Sequence, residues 1–381
     1  MEGEGGAKPA LIAPAVSPAG TEAAITPPDA GENYLTIIAA GDNLYHEVMI
    51  RDGEGGDYET AYSEIKAIIE KADIAFINQE TVLAGANFEF SGYPLFNTPQ
   101  GLGRAISKTG FNVINHATNH IMDRGEKGIL ATLDFWETIP EITVLGINRS
   151  EDAREKPILI EKNNITIGLL AYTYGTNGIP VPSGKSYLVS LIDTEIMAGE
   201  IDALRPLCDF LIVSMHWGEE YRTDFNKRQG ELAEFLAEHL VDLVIGHHPH
   251  VLQPVKYLPR PDGKSMLCYY SLGNLISAQT QNAALLGAMA FLRIKKINGD
   301  PGGTGNAIIT ESGAIPLVTH YENNYTGFTV YPLFAYTEEL LGKHRKNQGK
   351  PANAAELTME YFTNLSAEIL GSKEMREAPS R

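Results

Sequence analysis

The sequence predicts one α/β domain built on two stacked β-sheets, and three observations predict it. Apolar runs of strand length alternate with helical periodicity from residue 34 onward. A second set of strands starts at Ile165 with no low-complexity linker before it. Chemically active residues recur just after the apolar runs, where an open α/β sheet places its ligands.

The first 33 residues stand apart. They are rich in Gly, Ala and Pro and carry few large apolar side chains. Such a segment cannot bury enough surface to offset the entropy of ordering, so a flexible leader is expected over 1–33. A leader of this kind follows a removed signal or lipid anchor, which makes export and a membrane tether one expectation; a cytoplasmic tail is the other.

The first half then reads as β-α units. Tyr34 to Ala40 is a strand ending in Gly41-Asp42, and Tyr58 to Ala72 has helical spacing. Ile74 to Ile77 is a buried strand running into Asn78-Gln79-Glu80. A short helix over 101–109 is closed by Gly110. Val113-Ile114 leads into Asn115-His116-Ala117-Thr118-Asn119-His120, followed by an amphipathic helix over 124–138 and a strand over 143–145.

The second half repeats the pattern. Strands are predicted over 165–172, 210–215, 243–245, 266–270 and 288–294, the last antiparallel, with a helix over 226–240. Gly299 to Gly305 reads as a hairpin turn or loop. The domain is expected to span 34–320, with a helical extension over 321–381 packing on it.

Composition narrows the function. The 381 residues are 43% apolar and 20% charged, an ordinary globular balance, and no apolar run reaches membrane-spanning length. The net charge of -18 disfavours nucleic acid and anionic lipid as partners. An anionic substrate then needs a local positive centre, which a metal ion supplies. Cys208 and Cys268 form no disulfide framework; two buried thiols are expected, with a single bridge as the alternative.

Histidine placement carries the chemistry. Of ten histidines, His46, His120, His216, His247, His248 and His250 fall at or just after strand ends, close to Asp42 and Glu80. Imidazole nitrogen and carboxylate oxygen together suit manganese, iron or zinc, in one or two positions. In an extended loop, His248-Pro249-His250 turns both rings to one side. Asp123 lies three residues after His120: it caps the following helix, and it can also fix the His120 tautomer. Arg222, Tyr174 and Asn177 sit in loops after strands and are candidate substrate contacts. Nucleotide-loop and serine-nucleophile signatures are absent.

These residues carry a resemblance. Ala40-Gly41-Asp42, Asn78-Gln79-Glu80-Thr81, Asn119 to Asp123, Ala171 to Gly178, His216 to Tyr221, Gly246 to Val251 and Ser271 to Asn274 occur in an order that resembles the bacterial capsule-synthesis (CapA-type) proteins of poly-γ-glutamate production. That family is similar to the calcineurin-like metallophosphoesterases. The resemblance implies an α-β-β-α sandwich of two mixed sheets with a metal centre at one edge. It implies that Asp42 and His250 hold one ion and Asn119, His216 and His248 a second. Glu80 stands where a bridging Asp is usual, His120 is the acid/base, and His46 and His247 are further site candidates. It implies hydrolysis of a phosphoester or related bond, or a non-catalytic role in assembling, exporting or tethering an anionic capsule polymer. The oligomeric state is left open.

Overall fold

The computed structural model describes residues 33–53, 57–297, 306–351 and 354–371. The expected leader, Asn33 excepted, and the glycine-rich turn lie outside them.

The chain first lays down four parallel strands, β1 (Tyr34–Leu44), β2 (Ile74–Gln79), β3 (Val113–Asn115) and β4 (Thr143–Leu145). It then builds a second sheet from β5 (Leu159–Lys162), β6 (Ile165–Thr173), β7 (Phe210–His216), β8 (Leu243–His247), β9 (Val255–Pro259) and β10 (Ser265–Tyr269). It returns to the first sheet with β11 (Asn274–Ser277), β12 (Leu286–Lys296), β13 (Ala307–Glu322) and β14 (Thr326–Pro332). Among the described residues the sheets run β14-β13-β12-β1-β2-β3-β4, with β11 beside β1, and β5-β6-β7-β8-β10-β9.

Nine helices occur among the described residues: α1 (Glu47–Asp52), α2 (Ser63–Ile69), α3 (Gln100–Thr109), α4 (Gly125–Trp136), α5 (Glu151–Arg154), α6 (Thr194–Leu204), α7 (Lys227–Glu238), α8 (Glu338–Lys343) and α9 (Met359–Leu370). Sequence signals explain several ends. Asn226 and Gln229 form a capping box that starts α7. Gly110, at φ +110°, closes α3 in the left-handed region that a residue with a Cβ resists.

The pleat assigns the layers. Phe210 and Ile212 of β7, Leu243 and Ile245 of β8, and Leu267 and Tyr269 of β10 join Ile37, Phe76 and Val113 of the first sheet in one core. Their alternating neighbours Leu211, Val213, Val244, Met266 and Cys268 face away and pack with Ile201 of α6 and Leu236 of α7. Leu102 and Ile106 of α3 and Ile65 of α2 join the core from the first sheet's side. The result is the expected sandwich of two mixed sheets flanked by helices. No described helix is long and apolar enough to cross a membrane.

One detail differs from the sequence expectation. The segment after residue 320 is not purely helical: β14 pairs antiparallel with β13, which itself runs to Glu322. Val330, Leu341, Phe362 and Leu370 sit in the shared core, so this segment closes the first sheet. Both thiols are free and buried, as the sequence led us to expect, and the alternative bridge is not formed.

Candidate metal centre

The site forms where β1 changes neighbours. From Tyr34 to Ala40 the strand pairs with β12; from Asp42 onward it pairs with β11. Its register against β2 slips between Ala40 and Asp42, so Gly41 is a bulge residue. A Cβ on Gly41 would lie 2.0 Å from the Gly273 carbonyl oxygen, an approach only glycine allows. The bulge turns Asp42 into the space where the two sheets meet.

Two histidines reach that space by strand alternation. His216 ends β7 and His247 ends β8, paired directly across the ladder. Each is an even number of residues from a core-facing neighbour, Ile212 or Ile245, so both side chains point between the sheets. His247 stacks on Phe76 of β2, ring centroids 5.7 Å apart. Gly246 lets the strands close, since a Cβ there would meet the Tyr270 carbonyl oxygen at 2.0 Å.

The loop after β8 departs from the expected extended form. His248 and His250 have φ of +95° and +59°, so the chain twists through left-handed conformations at both. Such residues cost about 1–3 kcal/mol each and persist where surrounding contacts over-determine them. The backbone N–H of His248 donates to Asp42 Oδ2 (3.2 Å), and His250 Nδ1 lies 3.1 Å from the same oxygen. Asn274, at the start of β11, places its Oδ1 3.2 Å from that Nδ1.

Glu80 occupies the middle. It is fully buried, and neither carboxylate oxygen has a hydrogen-bond partner among the described residues. Its Oε1 is 3.8 Å from His216 Nε2 and 3.7 Å from His250 Nε2. Donor atoms therefore gather in two sets that share it, Asp42-Glu80-His250 and Glu80-His216-His248, each within 4.8 Å. The Asn119 Oδ1 is 2.9 Å from His216 Nε2, beside the second set.

Charge states fit a cation. Burial drives Glu80 well above the usual carboxylate range against the opposing pull of His250, and the nearby Asp42 charge raises it further. Burial also lowers His216 strongly, His247 to about 4 and His248 to about 3, so these imidazoles stay neutral, the form that ligates. His250 resists burial and is held up at about 9 by Glu80 and Asp42. Asp42, despite burial, is lowered by the His250 hydrogen bond. Two acids, one of them the orphaned Glu80, with the neutral His216 and His248, the His250 ring and the Asn119 amide oxygen fit one or two divalent ions.

His120 is set by different contacts. Its Nδ1 lies 2.9 Å from Asp123 Oδ2, and that oxygen also accepts the Phe96 N–H at 2.7 Å. Asp123 is therefore not the helix cap expected from its position. Arg124 occupies that place without a side-chain cap bond, and α4 starts at Gly125. The Phe96 ring meets His120 edge-on at 4.6 Å. Asn177 Nδ2 approaches the His120 ring at 3.4 Å, and Asn119 Nδ2 donates to Asn177 Oδ1 (3.2 Å).

Other candidates separate. Tyr174, half exposed, packs against His248 with ring centroids 4.6 Å apart. His46 starts α1 with Nδ1 near the Leu44 carbonyl and the Ala278 N–H, and it joins none of the ligand sets among the described residues. Arg222 is exposed and paired with Glu219 at 3.1 Å, as a solvated loop charge.

Sequence reasoning missed an amide chain behind the acids. Asn115 Nδ2 donates to Asn78 Oδ1 (2.7 Å), and Asn78 Nδ2 donates to Asp42 Oδ1 (2.8 Å). The available signal was amides ending two adjacent buried strands, where an unpaired amide is costly.

Residues 36–279 match the family described as "Bacterial capsule synthesis protein PGA_cap". The PGA biosynthesis protein CapA of Bacillus subtilis (strain 168) is 31% identical over 289 residues, 73% of this chain and 71% of that protein. The Capsule biosynthesis protein CapA of Bacillus anthracis is 27% identical over 48% of this chain and 45% of that one. The crystal structure of a 5'-nucleotidase precursor from Thermus thermophilus overlays with a TM-score of 0.44 at 15% identity, over 75% of this chain and 54% of that one. The match over 36–279 takes in every residue of the metal-centre sets, and on it the chain belongs to the bacterial capsule synthesis protein family.

Proposed function

We propose that this chain is a metal-dependent hydrolase of a phosphoester or related bond, serving capsule or poly-γ-glutamate synthesis at the cell surface. The observation that carries the reading is Glu80, a buried carboxylate without a hydrogen-bond partner among the described residues, set between His250 and the pair His216 and His248. Asp42, Glu80 and His250 would hold one manganese, iron or zinc ion, and Glu80, Asn119, His216 and His248 another; such ions would supply activation of water and compensation of negative charge.

The remaining roles belong to this chain's own groups. Asp123 fixes the His120 ring through Nδ1, which leaves Nε2 to give a proton to the leaving oxygen. Asn177 borders His120, and Tyr174 covers His248, so both contact a substrate entering there. His247 supports Asp42 from behind, with Nδ1 3.6 Å from Oδ1.

The test is elemental analysis of the purified chain together with hydrolysis of an aryl phosphomonoester and diester. The expected result is one or two ions per chain and a rate that His120→Ala lowers by roughly 10²–10⁴-fold. Absence of metal, or equal rates, refutes the reading. The family's description, a capsule synthesis protein, favours a second one: a non-catalytic factor that binds an anionic capsule polymer for assembly, export or tethering. Polymer binding that survives loss of every ligand residue selects it.

A further inference from the structure

The two ligand sets are joined on their buried side by Glu80. A second carboxylate approaches from solvent. Glu220, in the loop after β7, brings an oxygen within 4.8 Å of donor nitrogens on both His248 and His250. Those two histidines belong to different sets, so Glu220 stands across both positions. His248 keeps its buried Nδ1 without a hydrogen-bond partner.

The loop is built to hold Glu220 there. The Tyr221 N–H donates to the Pro249 carbonyl (2.8 Å), tying the residue after Glu220 to the residue between the two histidines. Tyr221 has φ +64°, a left-handed turn that a tyrosine adopts only under constraint. Gln253 Nε2 fastens the far side through the Arg222 and Asp224 carbonyls. Glu219 is engaged elsewhere, by Arg222 (3.1 Å) and Asn226 (3.1 Å).

We propose that Glu220 is a further metal-binding carboxylate that donates to the centre from its solvent side. The inference rests on the metal-centre reading above. It makes Glu220 the exposed and exchangeable donor, and Glu80 the fixed one.

The test is Mn²⁺ binding to the full chain after chelator treatment, followed by calorimetry and elemental analysis, with no activity assay. Glu220→Gln is compared with Glu219→Gln, which removes the same charge one residue away. We expect Glu220→Gln to weaken at least one Mn²⁺ by roughly tenfold or more, the loss that follows removal even of a group behind a ligand. Glu219→Gln is expected to match wild type. Equal affinities for the two variants overturn the inference while leaving the metal centre standing. A wild-type chain that binds no Mn²⁺ overturns the centre itself, and Glu220 with it. A Glu220→Asp variant, shorter by one methylene, is expected to fall between Gln and wild type if reach matters; recovery of no affinity over Gln counts against direct donation.

Discussion

Replacing Glu80 by Gln gives the sharpest energetic test of the metal centre. The side chain is fully buried, its oxygens have no hydrogen-bond partner among the described residues, and the nearest imidazole nitrogens are 3.7 and 3.8 Å away. In the metal-free protein, burial raises the Glu80 carboxyl well above 4.5, so the folded state holds its proton more tightly than the unfolded chain does. The stability this proton confers is complete below about pH 4.5 and drains as pH rises toward the folded value, at up to about 1.4 kcal/mol per pH unit. His250 shares this effect. Its value rises from 6.5 to about 9, so its contribution is full below 6.5 and is lost as pH passes 9. Glu80 is the leading group holding His250 up, so the pair titrates together and the Gln variant loses one shared term. Metal-free Glu80→Gln should therefore show a flatter stability profile between about pH 5 and 9, and it should overtake wild type near neutrality. Metal reverses the order. At roughly 100 times Kd an ion adds about 2.7 kcal/mol to wild type, a rise of several degrees in Tm, and the variant should gain far less. Thermal unfolding by circular dichroism, with chelator and with Mn²⁺, reads both effects. Parallel pH profiles, or equal Mn²⁺ shifts in the two proteins, would refute the reasoning.

Three further outcomes follow from the same geometry. Metal affinity should fall as pH drops below about 9, because His250 must shed its proton to ligate; calorimetry across pH should show up to about one decade in Kd per unit per proton. Gly41→Ala should destabilise the fold by about 1–3 kcal/mol and weaken metal binding, since its Cβ would strike the Gly273 carbonyl at 2.0 Å and shift the Asp42 bulge; denaturant unfolding measures the first effect and metal titration the second. Asn78→Ala should leave Asp42 without its amide donor and weaken metal binding roughly 10–100-fold with a smaller change in fold stability.

The legible part of the site is the part that strand ends dictate. An apolar run followed by His or Asp marks a sheet edge, and period-two alternation turns His216 and His247 inward together. The less legible part depends on partners distant in sequence. Asp123 has the spacing of a helix cap, and only the Phe96 N–H and His120, brought together by the fold, reveal its use. Gly41 looks like any glycine after a strand until the register slip against β2 makes it a bulge and Gly273, from far along the chain, packs against it. Asn78 and Asn115 are ordinary strand amides until their register aligns them behind Asp42. β14 is obscured because Tyr, Thr and Gly in a short edge strand give little periodic signal beside two helices.

Anomalous scattering from crystals grown with Mn²⁺, Fe²⁺ or Zn²⁺ tests the central claim most directly. The account predicts one or two peaks at about 2.0–2.2 Å from a Glu80 oxygen, one beside His250 and Asp42 and the other beside His216 and His248. Crystals with no peak in contact with Glu80, or with ions bound only elsewhere, would contradict it.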